Sequence, residues 1–343
     1  MSQSITLRDI AIALNLSVAT VSRALRDSYD IGAETKKRVQ EYAAAIHYVP
    51  NRMAQGLKVG RTKSVGVVIC SMNNNFVAEM LDGIDSVCTS KGYQLIIMQS
   101  KESYLQEKEC IEWLFAGGIE GLLISPTVET SDFSQLAALQ KNGLPVVLFD
   151  RLSDQINADK IGANNRKGAY EATMHLINNG YRSIAHLTAN AALSIADERL
   201  KGYQDALRDS NITFRPELLK FCDYTNSETA KVELNQAIAE LMSLSLQPDA
   251  FFTGSDQVST GCVKALKNQG FRIPEDIAII GFTNTPHAEI FSPPLSTVHQ
   301  PAFEIGQLAA EKLFAALKRK SAEDYETISL HTELRIRASS APK

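Results

Sequence analysis

Two stretches of this chain carry side chains suited to reading a nucleic acid. From Leu7 to Leu25 the apolar residues Leu7, Ile10, Ala11, Leu14, Val21 and Leu25 fit two short helices joined at Asn15. Such a helix-turn-helix places the N-terminal part of its second helix in the major groove, which here presents Val18, Ala19, Ser22 and Arg23. Arg23 can donate two hydrogen bonds to one guanine, whereas Val18 and Ala19 offer only apolar contact, for instance to a thymine methyl. The same spacing also fits any helical pair in a bundle. Further on, Leu57 lies beside Lys58 and near Arg61 and Lys63. An apolar side chain among cations can wedge into a minor-groove step and kink the duplex; it can equally pack against the rest of the chain or a partner chain.

Catalytic signatures are missing. The sequence has no GxxxxGK[ST] loop, and Gly117-Gly-Ile-Glu-Gly121 has the wrong spacing for GxGxxG. Neither HExxH nor GxSxG occurs. The six histidines are dispersed, and Cys70, Cys88, Cys110, Cys222 and Cys262 form no CxxC pair. Reduced thiols, no disulfide framework, no metal site and no cofactor are therefore expected. The single tryptophan, Trp113, falls inside a predicted helix and is expected in the core.

Charge divides the chain. Residues 1–63 hold ten Lys/Arg and five Asp/Glu, a net +5, while the remaining 280 hold 25 and 34, a net −9. A basic head on an acidic body suits a polyanionic partner for the head alone. No run of about 18 apolar residues exists, so no membrane span is expected. The N-terminus lacks a basic stub followed by an apolar stretch, which predicts a cytoplasmic protein.

Thr6-Leu-Arg-Asp9 has the form of a capping box, Asn15 tolerates a left-handed turn, and Ser17 is a natural N-cap for a helix from Val18 to Leu25. A third helix is predicted over about 34–46. Residues 49–63 contain four basic residues and no acid; Pro50 can start a helix there, but its shortness and Gly56 make it conditional. From Ser64 apolar strands alternate with amphipathic helices, the pattern of parallel sheets covered on both faces. A break near residues 161–164 divides this body into two βα halves, and Ser292-Pro293-Pro294 marks a further crossing. Open parallel sheets bind ligands beyond the carboxyl ends of their strands, so two such halves predict a shared cleft at the loops beginning at Ser71, Pro126, Asp150, Thr188, Thr253 and Thr283.

Thr6-Leu-Arg-Asp-Ile-Ala, Val21-Ser-Arg-Ala-Leu and Tyr48-Val-Pro-Asn-Arg-Met-Ala-Gln-Gly-Leu closely resemble the head and hinge of LacI/GalR-type transcription repressors. The resemblance continues through Leu144-Pro-Val-Val-Leu-Phe-Asp-Arg, Arg199-Leu-Lys-Gly-Tyr, Ile273-Pro-Glu-Asp-Ile-Ala-Ile-Ile-Gly-Phe and Pro293-Pro-Leu-Ser-Thr-Val-His-Gln-Pro, and so covers essentially the whole chain. It implies an all-α helix-turn-helix head over 1–48, a hinge helix and linker over 49–63, and an α/β body over 64–343 like that of periplasmic sugar-binding proteins. Lobe 1 of that body is expected at about 64–161 and 293–325, lobe 2 at about 162–292 and 326–343.

The resemblance further implies a homodimer on double-stranded, pseudo-palindromic operator DNA. Thr6, Ser17, Val18, Ala19, Ser22 and Arg23 of the head and Asn51, Arg52, Leu57 and Lys58 of the hinge are its DNA-binding candidates, with Leu57 matching the family's leucine wedge. Gly56 stands where a bulkier residue is common. A small effector is expected in the cleft, with candidates Phe76, Asp150, Arg151, Arg199, Asp256, Thr283 and Gln300, Arg199 being the arginine of the RxxG motif. Ser255-Asp256 replaces the family's Asn-Asp, and Gly281-Phe282-Thr283 its Gly-Phe-Asp. With that carboxylate lost and Arg151 and Arg199 present, a sugar acid or sugar phosphate is plausible beside a neutral sugar. The chain ends at Lys343 without heptads, which predicts a dimer and no coiled-coil tetramer. The reading is a ligand-controlled transcription regulator, a repressor; the alternatives are a solute-binding sugar receptor without a DNA role and a sugar-processing enzyme.

Overall fold

The computed structural model describes residues 5–48, 62–189, 193–222, 227–319 and 325–343. They fall into two compact units, Met1–Thr62 and Lys63–Lys343. The hinge candidates Asn51, Arg52, Leu57 and Lys58, with Pro50 and Gly56, lie outside the described residues.

The first unit holds helices α1 (Leu7–Leu14), α2 (Val18–Leu25) and α3 (Ala33–Ala45). Thr6 and Asp9 form the expected capping box, satisfying two otherwise unpaired amides. Asn15 takes φ 53°, and Ser17 caps α2 by accepting from the Thr20 amide at 3.0 Å. Eight-residue helices are marginal alone. They persist because Ile10, Ala11, Val21, Ala24, Val39 and Ala43 bury one shared core.

The second unit contains two six-stranded sheets. The first has the order β11-β5-β4-β3-β1-β2, built from β1 (Ser64–Ile69), β2 (Gln94–Gln99), β3 (Gly121–Ile124), β4 (Val146–Phe149), β5 (Asp159–Ala163) and β11 (Thr327–Leu330), all parallel. Helices α4 (Asn75–Ser90), α5 (Tyr104–Ala116), α6 (Ser134–Lys141) and α11 (Ala302–Ala316) cover it. The second sheet has the order β12-β10-β9-β8-β6-β7 and comprises β6 (Ile184–Thr188), β7 (Leu219–Phe221), β8 (Ala250–Thr253), β9 (Ala278–Phe282), β10 (Ser296–His299) and the antiparallel edge β12 (Glu333–Arg335). Its helices are α7 (Asn165–Asn178), α8 (Ser194–Asp209), α9 (Ser227–Met242) and α10 (Asp256–Asn268). No described helix is long and apolar enough to cross a membrane.

Two lobe boundaries differ from the sequence expectation. Pro293-Pro294 does not mark a crossing, because β10 follows it and pairs with β9 inside lobe 2. The chain crosses only after β10, to place α11 on lobe 1. Conversely β11 belongs to lobe 1, paired with β5, and the chain returns to lobe 2 only for β12. The first crossing falls after β5, at about residue 164, within the expected break at 161–164. Trp113 is a plainer correction: α5 turns Cys110, Ile111 and Leu114 inward and leaves Trp113 74% exposed.

Each lobe crosses two helices at glycine. A Cβ on Gly306 would lie 2.0 Å from the Met80 carbonyl oxygen, and one on Gly83 would lie 2.1 Å from that of Phe303, so α4 and α11 touch backbone to backbone. Gly202 meets the Arg166 carbonyl in the same way between α8 and α7. Neither neighbour is a flexible side chain that can give way. Gly306→Ala is therefore expected to destabilise the body by about 1–3 kcal/mol, the usual cost of overpacking, read as a lowered midpoint in urea unfolding with an unchanged slope.

Candidate DNA-reading head and effector cleft

In the head, Val18 and Ala19 are exposed at the start of α2. Arg23 is exposed on the same helix, but its guanidinium is paired with Asp30 at 2.7 Å. Ser28 and Arg23 together hold the Asp30 carboxyl below the ordinary range. Ser22 also has a partner, since Arg26 donates to its hydroxyl at 2.9 Å and to its carbonyl at 3.2 Å. Thr6 and Ser17 are occupied as caps. An exposed ion pair is worth little against solvent, so Arg23 can exchange Asp30 for another acceptor at small cost.

In the body, the carboxyl ends of the strands of both sheets line one cleft of about 980 Å³. Lobe 1 supplies Cys70 and Phe76, Gln99, Lys101 and Glu102, Ser125, and Asp150 with Arg151; lobe 2 supplies Arg199, Phe221, Gly254 to Asp256, Phe282 and Gln300.

Arg199 is 4% exposed, one turn into α8. Its Nε donates to Asn165 Oδ1 at 2.8 Å, Nη1 to the Gly254 carbonyl at 2.6 Å and Nη2 to Gln300 Oε1 at 3.0 Å. The guanidinium carbon sits 3.8 Å from the centroid of the Phe282 ring, a cation–π contact. The adjacent carboxylates Asp197 and Glu198 are taken by Lys201 instead. Burial pulls the Arg199 pKa down to about 10, while Asp150 and Asp256 pull the other way, so the group stays charged at neutral pH.

Asp150 follows β4 at φ 62°, in the left-handed region, where Asp is tolerated better than most residues. Its amide donates to the Ile161 carbonyl at 2.9 Å, and its carboxylate has one described hydrogen bond, a long one of 3.4 Å from Ser125 Oγ. Burial raises its pKa, against the opposing charges of Arg151 and Arg199. Asp256 accepts from the Asn284 amide at 2.8 Å and from the Thr283 hydroxyl. Burial raises its pKa too.

Thr283 stands differently from expectation, while Arg151 and Phe76 line the cleft but are also engaged elsewhere. Thr283 is buried behind Asp256 and does not line the cleft; its hydroxyl is a donor to that carboxylate. An Asp in its place would set two carboxylates in contact. Arg151 lines the cleft with its guanidinium paired to Glu102, which accepts from Nη1 at 2.7 Å and from Nη2 at 2.6 Å. Phe76 lines the cleft while packing in the core of lobe 1. Sequence reading missed Phe221, half-exposed at the end of β7, and Asn284. The Asn284 Nδ2 donates to Glu79 of α4 at 2.8 Å and to the Gln300 carbonyl at 2.8 Å, while Asn75 of α4 donates to the Asn284 carbonyl at 3.1 Å. Asn284 therefore bridges the lobes. Among the described residues no cluster suited to a metal ion occurs.

Residues 6–51 match the family profile "Bacterial regulatory proteins, lacI family", and residues 173–340 match "Periplasmic binding protein-like domain". The HTH-type transcriptional repressor PurR of Aliivibrio salmonicida is 32% identical over 97% of this chain and 98% of its own. The ribose operon repressor of Haemophilus influenzae is 33% identical over the same shares. The chain belongs to the LacI family of bacterial regulators. A LacI-family head on a periplasmic-binding-protein-like body makes it a DNA-binding transcription regulator rather than a free-standing solute receptor. In fold, this LacI-family regulator matches the lac repressor dimer bound to operator and the anti-inducer ONPF, with a TM-score of 0.83 at 22% identity over 99% of this chain and 100% of that one. A LacI-family regulator from Enterococcus faecium with bound ribose matches over 82% of this chain and 99% of its own, with a TM-score of 0.71 at 26% identity.

One buried group sits beneath the cleft. His186 of β6 is stacked between Tyr203 and Phe252, its Nδ1 lies 3.0 Å from the Phe252 carbonyl, and its Nε2 has no partner among the described residues. Burial first, and the charge of Arg199 with it, lower its pKa from 6.5 to about 4. The unfolded chain thus takes up this proton near pH 6.5 and the folded one only near 4, so stability is full above 6.5 and is lost as pH falls towards 4. That loss amounts to about 3 kcal/mol. His186→Phe is expected to unfold less steeply with acid than wild type, measured by urea midpoints between pH 7 and 4.5.

Proposed function

We propose that the chain is a cytoplasmic homodimeric repressor without enzymatic activity, which binds a pseudo-palindromic operator through paired heads and takes a neutral, polyhydroxylated effector, a sugar, between its lobes. The observation that carries the effector reading is Arg199. A buried guanidinium held by neutral acceptors opens on the same cleft as the carboxylates of Asp150 and Asp256 and the half-exposed ring of Phe221. Fixed carboxylates and a fixed fork of N–H groups suit adjacent hydroxyls, which both donate and accept, and an aromatic face suits the C–H face of a sugar ring. The sugars named for the ribose operon repressor and the ribose-bound regulator agree with this class. A sugar acid or phosphate is disfavoured: the cleft lining holds five carboxylates against three cations, and Glu102 neutralises Arg151.

A second copy of the chain is supported by exposed apolar side chains on edge strand β2 (Ile96, Ile97) and the neighbouring α5 (Leu105, Trp113, Phe115). An edge strand presents unpaired N–H and C=O groups, a template for pairing with another chain. The hinge residues Asn51, Arg52, Leu57 and Lys58 are assigned to the operator from the family resemblance. Effector action follows from differential affinity: a ligand that prefers one lobe arrangement, with the Asn284 bridge made or broken, shifts the head's DNA affinity by the same coupling free energy.

A thermal-shift screen of neutral sugars, sugar acids and sugar phosphates tests the effector class, because ligand bound to the native state raises stability by mass action. Arg199→Ala is expected to abolish the shift given by the effector while leaving effector-free operator affinity within twofold; calorimetry that finds effector binding intact in this variant refutes the cleft assignment. Arg23→Ala is expected to cost about 1–3 kcal/mol on the preferred operator and little on random duplex. Equal losses on both, measured by fluorescence anisotropy, would remove its base-reading role.

A further inference from the structure

Glu102 is reached through unusual backbone. Both Lys101 and Glu102 adopt positive φ, 51° and 61°, one residue beyond the end of β2. Non-glycine residues in this region each cost on the order of 1–3 kcal/mol and persist where surrounding contacts over-determine them. Here the outcome of that conformation is a carboxylate laid edge to edge against the Arg151 guanidinium, with both oxygens accepting at 2.6 and 2.7 Å. The Val128 amide donates to the same carboxylate at 3.2 Å, and Arg151 Nη1 also reaches the Pro126 carbonyl and Cys70 Sγ. Both members of the pair line the cleft.

From this geometry we infer that Glu102 is a specificity-determining residue: it withdraws Arg151 from ligand recognition and thereby makes the cleft reject anions. The inference rests on the reading of the cleft as the effector site. Without Glu102 the cleft would present two guanidiniums, Arg151 and Arg199, flanking Asp150, and Arg is the side chain best matched to a phosphate or carboxylate. With it, one guanidinium is neutralised by a carboxylate of matching shape and only Arg199 remains. The contact needs a carboxylate, because its two oxygens accept from three N–H donors and an amide nitrogen in place of either would face a donor; the same acceptance adds a negative charge to the cleft.

The test compares wild type, Glu102→Gln and the doubly neutral Glu102→Gln/Arg151→Gln by calorimetry and thermal shift, with inorganic phosphate as the anionic probe and a panel of pentoses and hexoses as the neutral ones, at low ionic strength. E102Q is expected to bind phosphate at least tenfold more tightly than wild type, and the double variant is expected to lose that gain. The double variant, which removes both members of the pair together, is also expected to bind the neutral ligand within threefold of wild type. Phosphate affinity in E102Q no higher than in wild type overturns the inference. So does loss of the neutral ligand in the double variant, which would make Arg151 a direct contact. If no neutral sugar stabilises wild type, the effector reading fails on its own, while the phosphate comparison still decides the role of Glu102.

Discussion

A positive charge is buried at the centre of the body without a carboxylate bonded to it. Removing a guanidinium from water is costly unless its donors are satisfied, and Arg199 meets that demand with oxygens from three separate elements: Asn165 at the start of α7, Gly254 after β8 and Gln300 after β10. Satisfying this one group therefore fixes how those elements meet at the mouth of lobe 2. The Phe282 ring closes the remaining face. Helix α8 can sit against α7 closely enough for this only because Gly202 has no side chain.

The bonds from Arg199 to Gln300 and from Gln300 to Asn284 lead to the lobe junction. Gln300 stands where the chain leaves lobe 2, and Asn284 exchanges hydrogen bonds with its backbone at 2.8 Å in both directions. Asn284 in turn meets Glu79 and Asn75 of α4. A ligand that pulls on Arg199 or Asp256 is thus one or two hydrogen bonds from the contacts that hold the lobes together. Polar contacts of this kind can be remade in another register, whereas the glycine-mediated helix crossings inside each lobe cannot, which favours lobes that move as rigid bodies.

Much of the fold was legible because its signals are local. Thr6 and Asp9 are three residues apart, Asn15 and Ser17 set the turn by their own chemistry, and continuous apolar runs announced most parallel strands. The lobe boundaries were harder. Strand β10 begins two residues after Pro293-Pro294, which read as a crossing, and β5 has too little apolar character in Asp159-Lys-Ile-Gly-Ala163 to stand out. Cleft chemistry was only half legible for a similar reason. Arg199, Asp150, Asp256 and Gln300 were named by position, but Arg151 is neutralised by a residue 49 positions away, and nothing near either in sequence indicates it. In sequence Thr283 shows only as a lost acid; that its hydroxyl donates to Asp256 needs the fold. Trp113 was misplaced because α5 carries apolar residues on more than one face.

That tryptophan has an optical consequence. It is the chain's only indole and it sits in water on the outer face of α5, away from the residues that line the cleft. Its emission colour and its quenching by added iodide accordingly sense the covering of that outer face, while occupancy of the cleft by a small molecule gives no direct indole signal. Where that face meets the second copy proposed above, intrinsic fluorescence is a native, label-free gauge of subunit pairing that is separable from effector uptake.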